Sequence, residues 1–264
     1  ITRYGICALG LLAMASCSMD TESMTDLNDQ TAYRNQEAAE LALVGCYDGW
    51  QMTTSSEGVG MYLTSEFASE QAHGGLGFSD AKNYNAIDQF DISIAPSYNN
   101  LFNTDWENYY KAIFRCNKIV ENQDVTAWSS NEGKGLVVGQ ARALRLFGDV
   151  PLILVPTEDN VPRTPAAEVY KAIFEDLKYA AANIPADAFP VASNSSNDGR
   201  VSKYAAEALL ARVYLYYTGY YGEENEACTK QEAIDALEDV IDNGGYELET
   251  DYADLFMPAC TEDA

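Results

Sequence analysis

The sequence predicts a mainly α-helical protein: tetratricopeptide-like stacked helical hairpins (an α-α superhelix) with one long irregular loop excursion. Three observations predict it. Apolar residues recur at helical spacing in several separate stretches, two of them opened by motifs of the capping-box type. No run of alternating apolar and polar residues is long enough for a sheet-based domain. Small residues fall where helices would touch and large ones flank them, the habit of tetratricopeptide-like arrays. The helix starts near 165, 202 and 230 are unevenly spaced, so the repeats are degenerate.

Helical periodicity begins near Gln36, with Leu41, Val44 and Tyr47 or Asp48 along one face. It disappears from Gln51 to Asn103, a stretch rich in Gly, Ser, Asn and Asp. Thr104-Asp105-Trp106-Glu107 then reads as a capping box. The helix it opens places Trp106, Tyr109/Tyr110, Ile113, Asn117 and Val120 on one stripe. Thr164 reads as an N-cap with Pro165 in the first turn. Tyr170, Ile173/Phe174, Leu177, Ala181 and Ile184 form the buried face of that helix, which Pro185 stops. Another helix runs from about Ser202 to Tyr217, with Ala205, Ala208/Leu209, Arg212 and Leu215/Tyr216 in register. The last opens at Thr229-Lys230-Gln231-Glu232, carries Ile234, Leu237 and Val240/Ile241, and ends at Gly244-Gly245.

The N-terminal stretch has chemistry of its own. An apolar run from Tyr4 to Ala15 is too short to span a bilayer and has the length of a secretory h-region. It ends Met14-Ala15-Ser16-Cys17 and turns polar at once, which looks like a bacterial lipobox. Residues 1–16 are therefore expected to be a lipoprotein signal peptide that the chain enters part-way. Cys17 is the expected lipidation site, and 17–30 is an acidic, flexible tether. Of six cysteines, Cys46, Cys116, Cys228 and Cys260 remain for the fold, and their spacing demands no disulfide.

Composition excludes several classes of function. A 264-residue chain that is 47% hydrophobic supports a packed core. Acidic residues outnumber basic ones 41 to 16, a net charge of −25, which repels nucleic acid. His73 is the single histidine, so a His-rich zinc site is excluded, and no nucleophile elbow or phosphate loop accompanies it. No catalytic residue, metal site or cofactor is expected. Asn194–Gly199 faintly resembles a calcium loop, but Ala205 stands where its Glu belongs.

The 51–103 stretch is the candidate ligand site, because so long a connection is usually functional or disordered. Aromatic rings that stack on the C–H face of a pyranose, with Asn and Asp reaching its hydroxyls, are what a sugar requires. His73, Phe78, Asp80, Asn83, Tyr84, Tyr98 and Asn99 are the candidate ligand-binding residues.

Several blocks together resemble the SusD/RagB family of nutrient-uptake outer-membrane lipoproteins. These are Trp106–Tyr110 through Asn117, Arg145-Leu146-Phe147-Gly148-Asp149-Val150-Pro151-Leu152, Arg163–Leu177 and Gly199–Ala211, in that order. The resemblance implies a tetratricopeptide-like helical domain over 31–264, sited on the cell surface. It implies a SusC-like, TonB-dependent outer-membrane barrel as partner, and capture of oligosaccharides without hydrolysis. Two rivals differ in class: a surface glycoside hydrolase, and a helical scaffold that binds only protein. The sequence departs from the family where Gly139–Arg145 runs straight into the Leu-Phe-Gly block, a loss of about 12 Å of helix. It also stops at Ala264, where the resemblance leads one to expect a longer chain.

Overall fold

The first helix starts where its periodicity starts, because Asn35 caps it: the Asn35 side-chain oxygen accepts from the Ala38 N–H at 2.9 Å. This helix, α1, is Gln36–Ser55. The structure, a computed structural model, describes residues 32–55, 61–69, 71–73, 82–91, 100–145, 154, 162–189 and 199–247. The chain divides into residues 1–32 and 33–264, and the helical array belongs to the second unit. The expected signal peptide, Cys17 and the expected tether lie outside the described residues, as do 194–198 of the calcium-like stretch and 146–152 of the Leu-Phe-Gly block.

After α1 come α2 (Met61–Ala68), α3 (Lys82–Asp88), α4 (Asn100–Glu121) and α5 (Asn131–Leu144). They are followed by α6 (Ala166–Asn183), α7 (Lys203–Tyr221) and α8 (Lys230–Asn243), and no strand occurs among the described residues. Local chemistry sets the ends. Ser130 and Ser202 accept from the N–H groups three residues on, at 2.9 and 3.1 Å, and so open α5 and α7. Thr229 and Glu232 complete a reciprocal capping box at α8. Gly222, at φ +73°, takes the left-handed conformation that closes α7.

From α4 onward each helix packs on the next, and α1 packs on both α4 and α5. The mainly helical, tetratricopeptide-like reading therefore holds. One core gathers Leu43, Cys46, Cys116, Ile119, Val137 and Val138 from α1, α4 and α5. A second gathers Val169, Phe174, Leu177, Leu210 and Tyr217 from α6 and α7, with Cys228 and Ala233 beyond. Each fully buried large side chain contributes about 1.5–3 kcal/mol.

Glycines bring α5 against α6. A Cβ on Gly139 would lie 2.7 Å from Ile184 Cγ1, and one on Gly135 would run into the Asn183 carbonyl oxygen. A backbone atom cannot yield as a side chain can, so Gly135→Ala is expected to lower stability by about 1–3 kcal/mol despite alanine's better helix propensity. Urea unfolding checks it; an unchanged midpoint would show that α5 and α6 separate freely.

Buried polar groups fix the array further. Tyr47 donates to Gln140 Oε1 and accepts from the Val201 N–H, both at 2.8 Å, tying α1 and α5 to the segment before α7. Burial pushes the Tyr47 hydroxyl up to about 12. Arg145, at the end of α5, holds Asp176 of α6 bidentately at 2.6 and 2.8 Å and donates to Asn117 of α4 at 2.9 Å.

The structure corrects several sequence readings. The 51–103 stretch is not without regular structure, since α1 runs on to Ser55 and α2, α3 and the start of α4 lie within it. Helices of seven or eight residues among Gly, Ser and Asn give too few turns for a period to show. Thr104 is not a cap, because α4 already runs from Asn100. The cap of α6 is Pro165 rather than Thr164. On α1 the buried face is Ala39, Leu43 and Cys46, while Leu41 and Val44 are 69% and 50% exposed. On α7 it is Ala206, Leu210, Ala211, Tyr214 and Tyr217, not the stripe through Ala205 and Arg212. Small residues line the α1 seam and apolar residues surround α7, so hydrophobicity alone selects the wrong side. On α8, Leu237 and Ile241 are exposed, since among the described helices α8 packs chiefly on α7.

Candidate functional site

Trp106, Tyr110 and Phe114 recur at every fourth residue of α4, and this spacing puts three aromatic side chains on one face. Trp106 and Phe114 are 51% and 45% exposed, and Tyr110 is half-buried between them. The Trp106 and Tyr110 rings meet with centroids 4.9 Å apart at 47°. Along them runs a cleft of about 610 Å³, lined also by Glu107, Lys111, Ile113 and Arg115. The opposite side of α4 is anchored in the core through Ala112, Cys116 and Ile119, so the shelf stands on a rigid element.

The polar groups around the shelf are held in place. Glu107 and Lys111 pair at 3.4 Å. Arg115 reaches across to α1, donating to the Gly45 carbonyl at 2.6 Å and to Asp48 at 3.2 Å. Burial raises the Tyr110 hydroxyl above its ordinary range. Flat apolar faces edged by charged and hydroxyl groups suit a ring with C–H faces and an equator of hydroxyls.

The residues singled out from sequence are placed less fully. Phe67 and Tyr84 pack with centroids 5.4 Å apart, joining α2 to α3 around Ile87. Tyr84 thus pins two short helices together. His73 is exposed, with Nδ1 3.7 Å from Asp88 at the end of α3. Asn83 lies within α3, but its side chain is outside the described residues, as are Phe78, Asp80, Tyr98 and Asn99. The structure brings His73 and Tyr84 to the same small unit. Among the described residues, no cluster of three or more His, Cys, Asp or Glu side chains forms a metal site, and no helix is long and apolar enough to cross a membrane.

Residues 51–215, well over half of the chain, match the SusD-like family described as "Starch-binding associating with outer membrane". The chain belongs to the SusD-like family. The SusD-like protein of Bacteroides ovatus is 27% identical over 173 residues, 57% of this chain and 29% of that protein. The SusD-like protein P38 of Formosa agariphila is 23% identical across 97% of this chain and 48% of its own length. The SusD-like chain thus spans less than half the length of these curated relatives. Among solved structures, surface glycan-binding protein A from Bacteroides thetaiotaomicron, in complex with laminarihexaose, superposes with a TM-score of 0.65. It is 21% identical, over 84% of this chain and 46% of that one. The corresponding protein from Bacteroides uniformis gives a TM-score of 0.67 at 20% identity, over 84% and 50%. These likenesses show the shared fold.

The SusD-like chain has a second cleft, of about 680 Å³, among α6, α7 and α8. Lys203 pairs with Asp239 at 2.5 Å and with Glu207 Oε1 at 3.5 Å, and Lys178 pairs with Glu232. Burial pushes the Glu207 carboxyl up to about 7, with the Lys203 charge opposing it. A carboxyl raised on folding binds its proton more tightly in the folded than in the unfolded chain. Its contribution is therefore present below about pH 4.5 and is lost as the pH rises towards 7. Unfolding free energy is expected to fall over that window, and Glu207→Gln is expected to flatten the slope. An identical slope in the variant would place the titration elsewhere.

Proposed function

We propose that this SusD-like chain captures glycans at the cell surface and delivers them to a TonB-dependent outer-membrane barrel of the SusC type without cleaving them. The reading rests on family membership, on the family's description as starch-binding, and on a neighbour in fold solved with laminarihexaose. The observation that carries it is the exposed Trp106–Tyr110–Phe114 shelf on α4. In this account residues 1–16 direct export and Cys17 carries the lipid. Residues 17–30 tether the domain to the outer membrane, and 31–264 supply the helical scaffold and part of the ligand face.

Trp106→Ala tests the shelf. Binding of a soluble α- or β-gluco-oligosaccharide to the unlipidated chain is expected to weaken about tenfold, the factor that about 1.4 kcal/mol of lost stacking represents. Because Trp106 is exposed, the far-UV spectrum and unfolding midpoint should stay as they are. Tyr84→Ala is expected to weaken binding less, since that ring already packs on Phe67. Equal affinity of Trp106→Ala and the parent chain would remove the shelf from the site.

A further inference from the structure

Cys46 of α1 and Cys116 of α4 are both completely buried and belong to the same core cluster. Their helices approach more closely than large side chains would allow. A Cβ on Gly49, one turn beyond Cys46, would lie 3.2 Å from the Ala112 Cα, one turn before Cys116. At that seam hydrogen bonding to Cys46, together with burial, pushes the Cys116 thiol well above its ordinary range. The other described cysteine, Cys228, sits in the other core with its sulfur 3.7 Å from the Thr229 carbonyl oxygen.

We infer that Cys46 and Cys116 are a disulfide-forming pair that staples α1 to α4. A disulfide needs two Cβ atoms facing each other across backbones at close range, and a Gly–Ala contact one turn away provides such an approach. The pair closes a loop of roughly 70 residues, within the range where cross-linking restricts the unfolded chain appreciably.

The chemistry requires a disulfide donor, such as oxidised glutathione or the disulfide of a thiol oxidoreductase. The thiolate of one cysteine attacks the donor, forming a mixed disulfide and expelling one donor thiolate. The second cysteine attacks the mixed disulfide, the protein S–S bond forms, and the second donor thiolate leaves. Both protons pass to the donor sulfurs, and the donor takes up the two electrons. A buried thiol with a raised pKa supplies little thiolate. The bond therefore closes while the chain folds, before the seam excludes the donor.

The test needs no assumption about export or ligand. The full chain is unfolded under reducing conditions, refolded in a buffer of reduced and oxidised glutathione, alkylated and digested for mass spectrometry. The expected result is one dominant linked peptide joining Cys46 to Cys116, retained in Cys228→Ala and absent from Cys46→Ala. Separate alkylation of Cys46 and Cys116 in refolded chain would overturn the inference, as would pairing spread evenly among all the cysteines.

Discussion

Asp176→Ala is expected to destabilise the fold by about 3–5 kcal/mol, because it strands a buried guanidinium. Arg145 and Asp176 side chains are 7% and 6% exposed, and Arg145 meets both carboxylate oxygens. A second cation, Arg142, lies 3.6 Å from the same carboxylate and over the Tyr179 ring. Without Asp176 the two cations repel each other where water is scarce, and Arg145 is left facing the neutral Asn117 side chain and the Leu154 carbonyl. The network joins α4, α5 and α6, so its loss acts on both cores. Chemical denaturation with an unchanged slope measures the effect as a shift of midpoint. Pairing Asp176→Ala with Arg145→Met should recover much of the loss, since the cost lies in the unpaired charge. A single-variant loss below about 1 kcal/mol would show that water reaches the pair.

Phe174→Ala is expected to cost about as much, 3–5 kcal/mol, by a different mechanism. Phe174 is fully buried in α6, edge-on to Tyr217 of α7 at 6.3 Å, with Leu177 one turn further on. Its removal opens a cavity in the seam between α6 and α7. Phe114→Ala, the same change on the exposed shelf, should alter stability by no more than about 0.5 kcal/mol. Thermal and urea unfolding of the two variants side by side would separate core from site. Equal losses would contradict the assignment of Phe114 to an open face.

Signals confined to a few residues are legible in the sequence. Ser202 and the Thr229–Glu232 box start helices because a side chain and an N–H three residues away satisfy each other whatever surrounds them. Gly244-Gly245 ends α8 for an equally local reason. Which face turns inward is less legible. On α1 the interior takes Ala39 and Cys46 and leaves Leu41 outside, since a close seam favours small side chains over large ones. On α7 apolar and aromatic residues surround the helix, so only its neighbours decide between Tyr217 inside and Tyr216 outside.

The site divides in the same way. The every-fourth spacing of Trp106, Tyr110 and Phe114 is present in the sequence, but Trp106 fits the apolar stripe of the helix equally well, and the Thr-x-x-Glu motif mimics a later helix start. Tyr84, a candidate ligand residue by its type and setting, packs on Phe67, a tertiary partner that no local pattern reveals.

The central claim, capture without cleavage, is tested most directly by titrating the unlipidated chain with a panel of oligosaccharides that includes α- and β-glucans, while assaying the same mixtures for reducing ends. The account predicts saturable binding to at least one glycan, weakened in Trp106→Ala, with no new reducing ends. Release of reducing ends would contradict it in favour of a hydrolase, and failure to bind any glycan would contradict the assignment of a sugar site to this chain.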